Sequence, residues 1–200
     1  PHSAHPELPG AVFAWAAGVV HAQGLPAGLL TLAEAPNRAA GTYLVQHPSI
    51  AAVAFTGSYQ GGKALWLAAN DRERPVPFFG ELGSINPLVA LPAVLKKDSE
   101  ALARTLAGSI TLGCGQFCTS PGVIVLLDSP HSQRFVAQLA EAIAPIATHR
   151  MLTPGMQQGF EAAAATVAAN ATAVFAPQAD GAGPAPRLFA SDAASVIANA

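Results

Sequence analysis

Within residues 1–70 the chain carries only four Asp, Glu, Lys or Arg side chains, namely Glu7, Glu34, Arg38 and Lys63. Charged residues make up 11% of the whole sequence, against about 25% in typical soluble domains. A domain standing alone needs more polar cover than that. The shortage predicts that much of the chain packs against protein outside these 200 residues, in a longer polypeptide or in another subunit. The ends agree with that expectation: the chain starts at Pro1 without a methionine and stops in the apolar Val196-Ile197-Ala198-Asn199-Ala200.

The rest of the composition excludes several classes of partner. Net charge is −2 and the ten Lys and Arg are scattered, so there is no electrostatic footprint for nucleic acid or for an anionic membrane. The longest apolar segment, 11–20, is interrupted at His21, Gln23 and Pro26, short of the ~20 residues of a membrane-crossing helix; it reads as a buried helix. No charged start with a cleavage site is visible. Two cysteines, Cys114 and Cys118, fit a reduced, cytoplasmic protein rather than a disulfide framework. The six histidines show no metal-ligand spacing, and no metal is assigned.

Along the chain, apolar runs alternate with helical patterns. Helices are expected near 8–22, 62–70, 99–112 and 159–169, with another starting at Ser129-Pro130, where a serine cap meets a proline suited to the first turn. Phe135, Leu139 and Ile143 supply its buried stripe. Strands are expected at 29–32, 50–55, 76–79 and 123–127. Leu65, Trp66 and Ala69 are placed on one helix face, as are Leu102, Leu106, Ser109 and Ile110, and Asp71-Arg72-Glu73-Arg74 reads as a solvated turn. Strands alternating with helices imply an α/β fold with a parallel sheet.

Three segments could carry chemistry. In Gly115-Gln116-Phe117-Cys118-Thr119-Ser120-Pro121-Gly122 a thiol sits among turn-forming residues, where a backbone permits close approach of a substrate. A free cysteine is more often a small buried hydrophobe; position favours a nucleophile, which needs a base or a positive environment to form its thiolate. Glu81 lies in a loop after the 76–79 run, in a nearly uncharged neighbourhood. Apolar surroundings raise a carboxylate's pKa, which suits a general base near neutrality; a lone solvated carboxylate is the plainer reading. Phe55-Thr56-Gly57-Ser58 joins a strand to a helix start, where N–H groups and the helix dipole receive phosphate, though by itself a structural turn is the better reading. Cys114 reads as packing at the end of its helix.

Taken in order, Phe55-Thr56-Gly57-Ser58, Glu81-Leu82-Gly83-Ser84-Ile85-Asn86-Pro87 and Gly115-Gln116-Phe117-Cys118 resemble the aldehyde dehydrogenase superfamily. Ser84-Ile85-Asn86-Pro87, Arg74-Pro75-Val76-Pro77 and Leu152-Thr153-Pro154-Gly155 are similar to its α-ketoglutaric semialdehyde branch, with NADP-dependent fatty aldehyde dehydrogenases next. The resemblance implies part of a parallel-sheet, Rossmann-like NAD(P)-binding domain over 1–86, followed by part of the α/β catalytic domain over 87–200. By the same resemblance Cys118 attacks the aldehyde carbon and its N–H is one oxyanion donor. Glu81 activates the water that hydrolyses the thioester. Gly57 and Ser58 hold the cofactor pyrophosphate, and Leu82 lies beside the nicotinamide.

The family's ribose-contacting lysine would fall just before Pro1, which places Ser3 where many NAD-preferring members carry glutamate. With His2 adding positive character, the resemblance implies NADP, with NAD as the other cofactor. Also implied are a small-molecule aldehyde substrate and a homo-oligomer, dimer or tetramer. Two competing readings remain at this point. One is a thiol hydrolase using Cys118, Glu81 and a histidine; the other is an inactive piece that only binds nucleotide or a partner subunit.

Overall fold

A computed structural model describes residues 7–34, 37, 39–178 and 183–198. The chain is of the α/β class and divides into two compact units, Pro1–Gly83 and Ser84–Ala200. No helix among the described residues is long and apolar enough to cross a membrane.

In the first unit, α1 (Glu7–Ala22) and α2 (Ala39–Gln46) precede a β-α-β unit made of β1 (Val53–Gly57), α3 (Tyr59–Asn70) and β2 (Phe78–Leu82). The two strands are parallel and stay in register from Val53 opposite Phe78 to Gly57 opposite Leu82. A parallel pair requires a crossover, and α3 provides it. The helix begins three residues earlier than its apolar pattern predicts because Ser58 caps it, its Oγ accepting the Gly61 N–H at 3.2 Å. Its buried face is Gly62, Ala68 and Ala69, packed with Val45 and flanked by Val53, Leu65, Val76 and Phe78. Trp66, expected on that face, is exposed.

Several sequence expectations fail in this unit. The segment α1 is a helix but not a buried one: Leu8, Val12, Trp15 and Val19 are exposed, and only the stripe Gly10, Phe13, Ala16, Ala17 and Val20 is half-buried. Its apolar residues run round every side, so no single packed face takes them all. Residues 29–32 form no strand; 27–29 close a 3₁₀ turn, with the Leu29 N–H donating to the Pro26 carbonyl at 2.9 Å. The strand expected at 50–55 starts at Val53, because Ile50 is held in the turn after α2, its N–H donating to His47 O at 3.0 Å. That strand alternates between half-buried and exposed rather than being buried.

Nor is Asp71-Arg72-Glu73-Arg74 simply solvated. The half-buried Arg72 guanidinium donates to the carbonyls of Val45 (3.1 Å), Ile50 (2.9 Å), His47 (3.0 Å) and Pro48 (3.4 Å). These are carbonyls at the C-terminal end of α2 and in the turn beyond it, where a cation is also favoured by the helix dipole.

In the second unit, β3 (Pro87–Ala90) pairs in parallel with β4 (Val123–Leu126), connected through α4 (Pro92–Thr111). The helix breaks at Asp98, whose carboxylate accepts the Ala101 N–H at 3.2 Å and so caps the following segment; that cap is why the periodic pattern begins at 99. Then come α5 (Pro130–Ile143), α6 (Pro154–Asn170), the antiparallel pair β5 (Thr172–Phe175) and β6 (Leu188–Ala190), and α7 (Ala193–Ala198). The core lies between α4 and α5, where Leu95, Phe135, Leu139 and Ile143 are at most 1% exposed, joined by Ala90, Ala103, Leu106 and Ala107. Ser109, expected on the packed face of α4, is exposed.

Ser129 caps α5 through the Ser132 N–H at 3.2 Å, with Pro130 in the first turn, as the sequence predicts. Thr153 does the same for α6 through Met156, which moves that helix's start from the expected 159 to Pro154. Arg187 joins β6 to α6 by an ion pair with Glu161 at 2.6 Å and by lying over the Phe160 ring.

Replacing Arg72 by methionine is expected to lower stability by about 2 kcal/mol, since charged hydrogen bonds are lost and their acceptors left to water. Arg72→Lys restores only part, lacking the planar fork. Urea unfolding of the three proteins checks this, and equal midpoints would mean that Arg72 contributes nothing to the junction of α2 and β1.

Candidate active site

The sequence-predicted residues fall into two groups, one in each unit. In the first, the parallel register sets Thr56 opposite Glu81 and Gly57 opposite Leu82, so Gly57, Ser58, Glu81 and Leu82 all sit at the C-terminal ends of the two strands. That end of an open parallel sheet is where ligands bind in α/β folds. Glu81 lies inside β2 and not in a loop beyond it. The pairing with β1 carries the strand to Leu82, and Pro77, which has no N–H, serves as acceptor for Val53 at 2.9 Å. Glu81 is exposed, so the apolar setting expected for its carboxylate is absent within its unit. It lines an open groove with Ala54, Phe55, Thr56, Phe79 and Gly80.

Ser58 opens α3, its Oγ accepting the Gly61 N–H and its carbonyl the Gly62 N–H. The leading N–H groups of a helix have no partner within it and carry the positive end of its dipole. Glycines at 57, 61 and 62 place no side chain at this turn. Gly62 packs closely: a Cβ there would lie 1.9 Å from Leu82 Cδ2, so the Leu82 side chain would have to move. The helix therefore presses directly on the half-buried Leu82 side chain and sets its position. This donor set fits the pyrophosphate of a dinucleotide. Ser3 and His2, expected to read the cofactor ribose, lie outside the described residues.

In the second unit the chain leaves α4 through a 3₁₀ turn, Leu112–Gly115. Gly113, Cys114 and Gly115 follow one another with φ of 57°, 58° and 71°, a left-handed run that costs little at glycine and more at Cys114. Cys114 is half-buried and its thiol donates to the His149 carbonyl at 3.0 Å; it is tied to the 149–150 segment rather than packed at the helix end. Gln116 braces the same turn, its Nε2 donating to Gly113 O at 2.7 Å and its Oε1 accepting the Leu152 N–H at 2.9 Å.

Beyond this turn Cys118 is exposed. The backbone folds around it, the Ser120 N–H donating to Phe117 O at 3.1 Å. Its carbonyl accepts from Ser84 Oγ at 2.7 Å and from Asn86 Nδ2 at 2.6 Å, and Asn86 also donates to Ser120 O at 3.0 Å. Gly122 closes the loop with its N–H on Ile85 O at 2.7 Å, an approach that a Cβ, 2.8 Å from the same oxygen, would block. The Ser120 hydroxyl is buried without a partner among the described residues.

Sequence reading gave Ser84 and Asn86 no role at the thiol. The available signal was Asn86 itself, because asparagine is the side chain that most readily joins glycine at positive φ, and Asn86 has φ of 44°.

With this geometry in hand, comparison with known proteins shows what the chain is similar to. The pattern of the "Aldehyde dehydrogenase family" matches residues 5–182. Alpha-ketoglutaric semialdehyde dehydrogenase 2 of Azospirillum brasilense is 44% identical over 137 residues, 68% of this chain and 26% of that protein. Alpha-ketoglutaric semialdehyde dehydrogenase of Acinetobacter baylyi is 38% identical over 143 residues, 70% of this chain and 27% of that protein. The chain thus spans about a quarter of the length of these curated relatives. Among solved structures, Bradyrhizobium japonicum proline utilization A superposes with a TM-score of 0.72 at 25% identity, over 86% of this chain and 18% of that one. An NAD-dependent benzaldehyde dehydrogenase of Corynebacterium glutamicum shares the fold with a TM-score of 0.72 at 22% identity, over 86% of this chain and 39% of that one.

The contact of Gly62 with Leu82 predicts a coupled pair. Gly62→Ala is expected to destabilise by about 1–3 kcal/mol through overpacking, and Leu82→Ala in the same chain to relieve most of that cost. A double-mutant cycle measured by chemical denaturation checks it, and simple additivity would show that the two side chains do not press on each other.

Proposed function

This chain belongs to the aldehyde dehydrogenase family, and from that premise we propose that it is the part of an NAD(P)-dependent semialdehyde dehydrogenase that carries the thiol nucleophile and the general base. The single observation behind this reading is the exposed Cys118 on a loop whose backbone is fastened by Ser84 and Asn86. Those two residues follow Leu82 in the sequence, two and four positions on. The substrate class comes from the two relatives named for α-ketoglutaric semialdehyde, and oxidation to 2-oxoglutarate is the proposed reaction.

In this proposal the Cys118 thiolate attacks the aldehyde carbon, forming a C–S bond while the carbonyl π pair moves to oxygen. The Cys118 N–H is one donor to that oxyanion. Gly57 and Ser58 at the start of α3 hold the pyrophosphate of the cofactor, and Leu82 shapes the nicotinamide side. A nicotinamide dinucleotide held there would supply the hydride acceptor needed for oxidation of the thiohemiacetal to the thioester. Glu81 then removes a proton from water, the hydroxyl adds to the thioester carbonyl, and the C–S bond breaks to release the carboxylate and the Cys118 thiolate. A cytoplasmic homo-oligomer belongs to the same reading.

In the full-length protein Cys118→Ala is expected to abolish aldehyde oxidation and any esterase activity. Glu81→Gln should slow thioester hydrolysis by about 10²–10⁴-fold, the usual contribution of a general base, while acylation continues. Rapid-quench measurement of acyl-enzyme accumulation separates the two, and steady turnover by the alanine variant would end the nucleophile assignment.

The cofactor proposal is NADP over NAD, carried by Ser3 in place of a carboxylate and by His2. Removing a like-charge clash with a 2′-phosphate favours NADP by about 1–3 kcal/mol, roughly five- to 150-fold in kcat/KM. Competition between the two cofactors checks this, and an NAD preference unchanged in Ser3→Ala would discard it.

A further inference from the structure

The carbonyl oxygen of Cys118 is an unusual acceptor for a loop residue, because both bonds it receives come from side chains more than thirty positions away in sequence. Ser84 Oγ approaches at 2.7 Å and Asn86 Nδ2 at 2.6 Å, together enough to occupy both lone pairs of a carbonyl. The second proton of the Asn86 amide goes to Ser120 O at 3.0 Å, so one side chain bridges two carbonyls on either side of Thr119. Asn86 reaches them only because its backbone is left-handed, φ 44°. Ile85, between the two donors, accepts from the Gly122 N–H at 2.7 Å. The strand pairing of β3 with β4 then begins at once, Pro87 opposite Val123. The thiol loop is therefore pinned along residues 118–122 by a segment that is itself anchored in the sheet.

From this juxtaposition we propose that Ser84 and Asn86 are positioning residues of the Cys118 nucleophile, holding its carbonyl so that the peptide plane on its C-terminal side, and with it the direction of the Cα–Cβ bond, stays fixed during attack. The inference rests on the reading of Cys118 as the nucleophile. Fixing the carbonyl restricts ψ of Cys118, the torsion an exposed loop residue otherwise explores. A reacting atom displaced by about 1 Å loses on the order of 10²-fold in rate. Neither side chain donates or accepts a proton in the reaction; both act on the rate through the thiol's placement.

The test uses the full-length protein with Ser84→Ala, Asn86→Gly and the double variant; glycine at 86 keeps the left-handed backbone while removing both donors. Two quantities are read: kcat and KM for aldehyde oxidation, and the second-order rate of Cys118 alkylation by iodoacetamide across pH, with the adduct located by mass spectrometry. Each single variant is expected to lose about three- to tenfold in kcat and the double variant about a hundredfold, with KM nearly constant and the alkylation rate lowered in parallel. Ser84→Thr, which keeps the hydroxyl, is expected to return to near the parent rate. Should the Asn86 variant not fold, the exposed Ser84 decides by its alanine and threonine variants alone. Alkylation within twofold of the parent in a folded Ser84→Ala or double variant overturns the proposal, whether or not turnover falls. Turnover by Cys118→Ala would instead remove the nucleophile reading on which it stands.

Discussion

Arg72 donates to the carbonyls of Val45, His47, Pro48 and Ile50, and Ser84 with Asn86 donates to those of Cys118 and Ser120. Both sets answer the same requirement. Turns leave backbone acceptors outside any ladder, and an acceptor withdrawn from water without a partner costs free energy comparable to a lost hydrogen bond. In a chain with so few charged side chains, a small number of multidentate donors serves the segments where the backbone is least regular. The turn that delivers β1 and the loop that carries Cys118 are two such segments.

Order in the first unit propagates from Arg72. The guanidinium holds the turn after α2, so that β1 enters the sheet at Val53, and the register with β2 then runs unbroken to Gly57 and Leu82. That register puts the helix cap Ser58 and the carboxylate of Glu81 at the same end of the strand pair. Gly62 lets α3 lie against Leu82 closely enough that no side chain larger than hydrogen fits between them. In the second unit the α4 and α5 core around Leu95, Phe135, Leu139 and Ile143 supports a single parallel strand pair, and the thiol loop hangs between that pair and the left-handed turn at 113–115. A rigid scaffold presenting an exposed, fastened loop is the usual architecture for reactive groups.

Much of this was legible in advance, and the legible part has a common character. Ser129-Pro130 with Phe135, Leu139 and Ile143 reads correctly as a capped helix with a buried stripe, because cap and stripe lie within fourteen residues of one another and depend on local geometry. The strand beginning at Val123, the turn-rich setting of Cys118 and the family likeness come from short ordered motifs for the same reason. Failures arose where a partner is distant. Residues 29–32 look like a strand in composition, yet no ladder receives them among the described residues; the short β3, opening on a proline, is not among the expected strands and is a strand only by its pairing with β4.

The sequence by itself determined the α/β class, the capped start of α5 and the chemical identity of the candidate groups, because these follow from residue type and spacing within a few turns. Only the tertiary structure decided that Glu81 belongs to a strand rather than a loop, that Arg72 is a structural clamp rather than a solvated charge, and that Asn86 and Ser84 grip the backbone at Cys118. Each of those depends on a contact between residues 22 to 34 positions apart or on strand register. Parallel pairing and side-chain reach across a fold leave no periodic trace in the local sequence, since the partner's position is set by the path of the chain between them.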